Sequence, residues 1–291
     1  MLSILIPTYN YDCSTLVRQL CKKVEELNDG FEIIVAYDAS TDKEMRNHIS
    51  EMGGIPGVRI FMNKENRGRA GIRNFMADQA RGEWFLFIDS DAEVPEDFSL
   101  KTYLEAGREA DVVCGGLIHP EVNPSPHATL RYRYERNADK RRKAELRRKN
   151  PYAQIATFSI MVRATVFLTI RFDEQCREYG YEDTLFGAVL EKRKIRVCHI
   201  DNPLIHNGLE PNDIYLQKTE TALHTLKCIE DRMQEQSALL KCVSKLRRWH
   251  LTGIVKCIYK LLRQNLRRNL LGRHPSLKAF AFYKLGYYLT L

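Results

Sequence analysis

Two aspartates one residue apart, Asp89 and Asp91, follow the apolar run Trp84-Phe85-Leu86-Phe87-Ile88. Hard divalent cations such as Mg2+ and Mn2+ take oxygen ligands, and one or two carboxylates commonly share them with a substrate diphosphate. An Asp-Ser-Asp sequence leaving a buried strand suits that task, with one acid on the metal and the other within reach of a sugar or ribose. In isolation it reads more readily as an acidic turn capping the next segment. Three other stretches favour the metal. Ile4-Leu5-Ile6-Pro7-Thr8-Tyr9-Asn10 opens the chain, and Val35-Ala36-Tyr37-Asp38-Ala39-Ser40-Thr41-Asp42 sets another acid at a strand end. Further on, Gly180-Tyr181-Glu182-Asp183 places two adjacent carboxylates in a turn. In this order they lay out a site for a nucleotide, a divalent metal and a base for a hydroxyl group.

Carboxylates do such work only when rigid elements aim them. Leu2 to Ile6 reads as a strand buried on both faces and ended by Pro7. Leu16, Leu20, Val24 and Leu27 recur at helical spacing. Phe31–Ala36, Val58–Met62 and Trp84–Ile88 read as further strands. Helices are expected over Thr41–Met52, capped by Ser40 or Thr41, and over Arg69–Ala80. Strand and helix alternate four times, which predicts parallel strands with helices on both faces. In such sheets ligands bind beyond the carboxyl ends of the strands, where Pro7–Asn10, Asp38 and Asp89–Asp91 fall. Later expectations are a helix over Leu100–Ala110, a strand over Asp111–Ile118 and a helical basic segment over 128–149. A strand over Thr157–Val162, a helix over Thr184–Lys192 and a strand over Ile195–Ile200 follow. From about residue 212 the pattern is helical.

At 291 residues, 44% hydrophobic and 28% charged, the chain has the composition of a soluble globular protein. It shows no secretory signal and no apolar run of about 20 residues that could span a membrane. Its eight cysteines include no C-x-x-C pair, so they read as reduced cytosolic thiols that mostly pack. Of the net charge of +8, twelve Lys and Arg with no acid lie from Gln236 onward, leaving residues 1–235 net acidic.

The stretches Ile6–Asn10, Asp38–Asp42, Asn66–Asn74, Asp89–Asp91 and Gly180–Asp183 resemble the family 2 glycosyltransferases of the GT-A fold, over residues 1 to about 210. That resemblance implies an α/β domain over 1–211, with a nucleotide-sugar half (1–95) and an acceptor half (96–211), followed by a helical basic region over 212–291. It implies that Pro7 and Tyr9 frame the nucleobase and that Asp38 accepts from uracil N3–H. Asp89 would contact the ribose or donor sugar, and Asp91 would ligate Mn2+ or Mg2+. Arg73 lies near the nucleotide or on a helix surface; the two readings weigh equally. The family commonly has two acids where this chain has Tyr37-Asp38. Asp183 would be the base that takes the acceptor proton in an inverting transfer, with Glu182 orienting the acceptor. The pair also suits a helix start, since acids favour that end. His206 is preferred over His199 as the further metal ligand.

The resemblance points to a metal-dependent enzyme that takes a nucleotide-sugar donor, UDP-linked by expectation, and a glycan or lipid-linked acceptor. A non-catalytic scaffold of the same fold is the alternative. A nucleotidyltransferase is disfavoured because no Gly-rich loop follows the first strand. In the tail, Leu251, Ile254, Val255, Ile258, Leu261 and Leu262 recur at helical spacing among Lys256, Lys260, Arg263, Arg267 and Arg268. A basic amphipathic helix without acids reads as a peripheral element on the cytoplasmic face of an anionic membrane. A helix packed on the core with a solvated basic face would look the same, and nucleic acid is not expected. The cluster Arg131–Lys149 reads either as an acceptor-diphosphate contact or as a solvated helix face.

Overall fold

The structure, a computed structural model, describes residues 1–27, 30–40, 52–174, 179–234 and 236–291. β1 (Leu2–Thr8), β2 (Phe31–Asp38), β3 (Val58–Asn63) and β4 (Trp84–Ile88) are parallel and lie in the order β3-β2-β1-β4. Because side chains alternate along a strand, these runs bury two opposite faces. Ile4, Ile6, Ile33, Val35, Leu86 and Ile88 pack with Leu16, Val17, Leu20 and Val24 of α1 (Ser14–Val24). Leu5, Ile34, Ala36, Phe85 and Phe87 pack with Ala70, Ile72, Met76 and Ala77 of α2 (Gly68–Gln79). Helices therefore cover both faces, as the alternation predicts. The polar residue inside β1, Ser3, is fully buried and donates to Glu32 Oε1 at 2.7 Å. The helix expected over 41–52 falls almost wholly outside the described residues.

Beyond β4 the direction changes. The remaining strands are β5 (Ala92–Glu93), β6 (Val112–Cys114), β7 (Leu117–Ile118), β8 (Ser159–Arg163), β9 (Val197–His199) and β10 (Leu204–His206). β8 runs antiparallel to both β4 and β6, and β9 is parallel to β6, which completes a seven-stranded sheet. β5, β10 and β7 form a three-stranded sheet in which β10 is antiparallel to β5 and parallel to β7. The single strand expected over 111–118 is thus two strands in different sheets. The crossing needs Gly115 and Gly116: a Cβ on Gly115 would lie 1.8 Å from the Tyr103 hydroxyl, and Gly116 has φ 95°.

Helix α3 (Leu100–Ala106) precedes β6, and the basic segment forms α4 (Thr129–Asp139) and the short α5 (Ala144–Arg147) rather than one helix. The break falls at Lys140-Arg141-Arg142-Lys143, four adjacent like charges, and α5 restarts where Asp201 Oδ1 accepts the Ala144 N–H at 2.7 Å. α6 (Ala164–Ile170) and α7 (Glu182–Lys192) follow, then α8 (Asn212–Cys228), α9 (Glu230–Met233), α10 (Ala238–Arg248), α11 (Thr252–Leu270) and α12 (Leu277–Thr290).

By contact the chain forms two compact units. One comprises Met1–Ile118, Asp139–Arg177 and Glu182–Gly208, and the other His119–Ala138, Glu178–Tyr181 and Leu209–Leu291. The first holds both sheets. The second is helical around Leu130, Tyr215, Leu216, Tyr259, Leu270, Phe280 and Tyr283. There Asn212 is buried and ties three segments, accepting from Leu130 N–H (2.7 Å) and donating to Thr129 Oγ1 (2.9 Å) and the Gly272 carbonyl (3.1 Å).

Candidate active site

The first unit gathers its polar residues beyond the carboxyl ends of β1, β2 and β4. Pro7 sits in register with Ala36 on β2, past Leu5, where the β4 pairing stops. Its missing N–H therefore leaves no gap on the β4 side. Tyr9 follows and is 54% exposed. Asn10 turns the chain with φ 49° and donates its N–H to the buried Ser40 hydroxyl at 3.0 Å, fastening this loop to the end of β2.

Asp38 is buried, and its two oxygens accept the N–H groups of Arg67 (2.7 Å) and Gly68 (3.0 Å) at the start of α2. Burial raises its pKa, and those two donors oppose the rise. Each carboxylate oxygen has a second lone pair, so the group can hold the loop and still accept from a base. An open cleft of about 730 Å3 borders the same loop, lined by residues 62–68 and Glu174. Tyr37 points the opposite way, into the core with α1, its hydroxyl 3.9 Å from Cys13 Sγ. An acid at that position would face apolar side chains, and a tyrosine fills the space instead.

Asp89 is oriented by its own N–H, which donates to the Phe158 carbonyl at 3.2 Å. Its Oδ1 pairs with Arg73, and its Oδ2 lies 3.4 Å from Arg69. Arg73 is 2% exposed and also donates to the Arg69 carbonyl at 3.0 Å. It is therefore a buried partner of Asp89 and no surface residue. Its Nε is buried with no hydrogen-bond partner within the protein, an orphan donor beside Asp89.

Asp91 faces the other sheet. The pairing of His206 with Ala92 brings β10 alongside β5, and His206 Nε2 comes to 3.1 Å from Asp91 Oδ2. The imidazole is buried and meets the Phe158 ring edge-on at 5.0 Å. Two residues later a Cβ on Gly208 would lie 1.8 Å from Asp91 Oδ2, so only glycine leaves room for the carboxylate. Tyr11 is near as well: burial and then Asp91 raise its phenol pKa. His199 is elsewhere. It is buried in the protein, with Arg147 at 2.7 Å from Nδ1 and the Pro151 carbonyl at 2.9 Å from Nε2, and burial lowers its pKa to about 4. No cluster of three or more His, Cys, Asp or Glu able to hold a metal occurs among the described residues. A divalent ion on Asp91 and His206 would complete its shell with diphosphate oxygens and water, as such ions do at phosphate sites. A carboxylate with an imidazole fits Mn2+ better than Mg2+.

Glu182 and Asp183 form the first turn of α7 rather than the turn before it. Glu182 is buried and paired with Arg69. Burial pushes its pKa up, but Arg69 and Arg73 outweigh that and hold it below the usual value. Asp183 is half-buried; its Oδ1 accepts from the Thr157 hydroxyl (2.8 Å) and its Oδ2 from the Thr157 N–H (3.2 Å). Burial, then repulsion from Glu182, raises its pKa to about 6. A carboxyl in that range is poised to take a proton at neutral pH.

All nine residues singled out by sequence lie in the first unit, and one ion-pair chain, Asp89–Arg69–Glu182, joins the ends of β4 and α7. Sequence reading assigned no task to Arg69, Thr157 or Gly208. Arg69 had a signal, since it stands four residues before Arg73 and so shares its helix face. Thr157 and Gly208 had none, because their partners are distant in sequence.

The family model for Glycosyl transferase family 2 matches residues 3–167. Among curated proteins the chain is similar to glycosyltransferase GlyA of Streptococcus pneumoniae, 25% identical over 252 residues, 82% of this chain and 34% of that protein. The chain spans about a third of the length of the curated relatives it matches. Among solved structures, the mannosyltransferase PcManGT from Pyrobaculum calidifontis, in complex with GDP-Man and Mn2+, aligns with TM-score 0.59 at 14% identity over 99% of this chain and 84% of that one. TarS of S. aureus in complex with UDP aligns with TM-score 0.52 at 19% identity over 99% and 89%. Both likenesses show the GT-A fold.

Proposed function

The chain belongs to glycosyl transferase family 2, and from that premise we propose that it is a metal-dependent inverting glycosyltransferase. It moves a sugar from a nucleotide-sugar, a UDP-sugar by preference, to a hydroxyl of a glycan or lipid-linked acceptor in surface polysaccharide synthesis. The observation that carries this reading is the pairing of Asp89 with Arg69 and of Arg69 with Glu182, which sets the donor-side acids beside the helix that bears Asp183. By analogy of fold, the nucleotide and Mn2+ in the neighbouring structures support a diphosphate donor and a divalent ion.

Asp183 takes the proton from the acceptor hydroxyl as its oxygen attacks the anomeric carbon. Thr157 fixes the carboxylate so that an oxygen lone pair stays aimed at that proton. Glu182, held ionised by Arg69, orients the acceptor. Asp89 engages the donor sugar or ribose, while Asp38, Pro7 and Tyr9 receive the base. A divalent ion held by Asp91 and His206 would supply Lewis-acid neutralisation of charge on the departing diphosphate. Attack opposite the leaving group inverts the anomeric configuration, with no covalent enzyme intermediate.

We place the protein peripherally on the cytoplasmic face of an anionic membrane. No helix among the described residues is long and apolar enough to cross one. Support comes from α11, where Ile254 (57% exposed), Ile258 (42%), Leu261 (77%) and Leu262 (42%) stand outward in a region without acids.

Calorimetric titration of UDP and GDP, with and without Mn2+, into wild type and Asp91→Ala tests the reading. Mn2+-dependent UDP binding that Asp91→Ala abolishes is the expected result. If neither nucleotide binds, the enzyme reading fails together with a nucleotide-sugar-binding scaffold, and a membrane-associated scaffold takes its place.

A further inference from the structure

Arg69 and Arg73 stand four residues apart on one face of α2, yet they are placed differently. Arg73 is sealed in, with its guanidinium on Asp89 and the Arg69 carbonyl. The Arg69 side chain is 37% exposed and reaches two acids from separate elements, Asp89 beyond β4 and Glu182 at the start of α7. Resting on the glycosyltransferase reading, we propose that Arg69 is a positioning residue for the transfer step, tying the helix that carries the base to the strand end that carries the donor-side acid.

The groups facing Asp183 define what its removal does. Glu182 is its neighbour on α7, Arg69 and Arg73 face it from α2, the Cys114 thiol lies on β6, and Thr157 donates from the segment before β8. Taking away one cation leaves two adjacent carboxylates with less compensation, so the pair binds its first proton at higher pH. Gln at position 69 keeps much of the length without the charge. Lys keeps the charge but lacks the fork that spans two acids.

The test compares wild type, Arg69→Gln and Arg69→Lys by carbon-13 NMR titration of the Asp183 carboxyl, assigned with Asp183→Asn. In parallel, UDP release to water is followed from UDP-glucose, UDP-galactose and UDP-N-acetylglucosamine with Mn2+ across pH. Melting curves report folding separately. In Arg69→Gln, the Asp183 midpoint and the acid limb of kcat/KM both move up by about one unit, with kcat falling more than KM changes. Arg69→Lys restores the midpoint and only part of kcat. An unmoved Asp183 midpoint in a folded Arg69→Gln overturns the proposal. Absence of UDP release by wild type from every donor tells against the enzymatic reading instead, while the NMR comparison still decides the task of Arg69.

Discussion

Asp183 carries the sharpest expectation at the scale of single residues. Asp183→Asn keeps the shape and the Thr157 contact to the remaining oxygen, and removes the proposed base. Transfer should fall by about 10^3-fold, within the usual range for general-base catalysis, while calorimetric UDP affinity stays near that of wild type. The pH sign follows from the raised pKa. With Asp183 at about 6, its ionised fraction is nearly complete above neutrality and is lost as pH falls through that value. kcat/KM should therefore drop about tenfold per unit below it, and a rate profile flat through this window would remove Asp183 from the base role. Gly208 gives a second expectation. A methyl there must displace the Asp91 carboxylate, so Gly208→Ala should weaken Mn2+-dependent UDP binding at least tenfold without lowering the melting temperature by more than a few degrees. Much of this site was legible beforehand because Asp38, Asp89, Asp91 and the Glu182-Asp183 pair each follow a recognisable local pattern. Thr157 and Gly208 were not, since each matters only through a partner that folding brings near.

Among the elements, those with a full period announced themselves. β1, β2, β3 and β4 each run for five residues or more, and their alternation sorts neatly onto the α1 and α2 faces. β5 and β10 have two and three residues, too few for a period to register, though they are what brings His206 to Asp91. The basic run also misleads at this scale. Arg147 is neither a phosphate contact nor a solvated residue: it is buried and donates to the carbonyls of Cys114 (3.1 Å), Gly115 (3.2 Å), Ile200 (2.7 Å) and Arg142 (2.7 Å). It adds to the backbone donors at the ends of β6 and β9, where the Cys114 and Gly115 carbonyls also accept from the N–H groups of Ile200 (3.0 Å) and Asn202 (3.3 Å). Arg147→Leu would take their guanidinium donor from the Ile200 and Arg142 carbonyls, while those of Cys114 and Gly115 keep a backbone donor, at a cost of about 2–3 kcal/mol. Denaturant unfolding should show that loss, and a change under 1 kcal/mol would mean that water replaces the guanidinium there.

For the whole molecule, the question is what the uneven charge does. In the helical unit the inner face of the tail is satisfied. Arg267 lies 3.3 Å from Glu220, Tyr283 donates to Glu220, and Glu230 accepts from Lys227 (3.0 Å) and Tyr288 (2.8 Å). These acids sit on α8 and α9, so the helices that follow pack there. Packing and surface exposure are thus compatible: Tyr259 and Leu270 of α11 are buried while Ile254, Ile258 and Leu261 face out. Sequence periodicity found this helix but could not say which stripe stays open, because apolar residues lie on both sides of it. Burying Ile258 and Leu261 in an interfacial lipid layer contributes roughly 1.5 kcal/mol each, and each nearby Lys or Arg adds about 1 kcal/mol on an anionic surface. Co-sedimentation with phosphatidylglycerol vesicles should therefore exceed that with phosphatidylcholine and weaken in high salt. The double variant Ile258→Ser, Leu261→Ser should bind about a hundredfold less while its rate on soluble acceptors is unchanged. Equal sedimentation of the variant would assign the stripe to protein contact, and a monomeric variant from a dimeric wild type would identify that contact as a second copy of the chain.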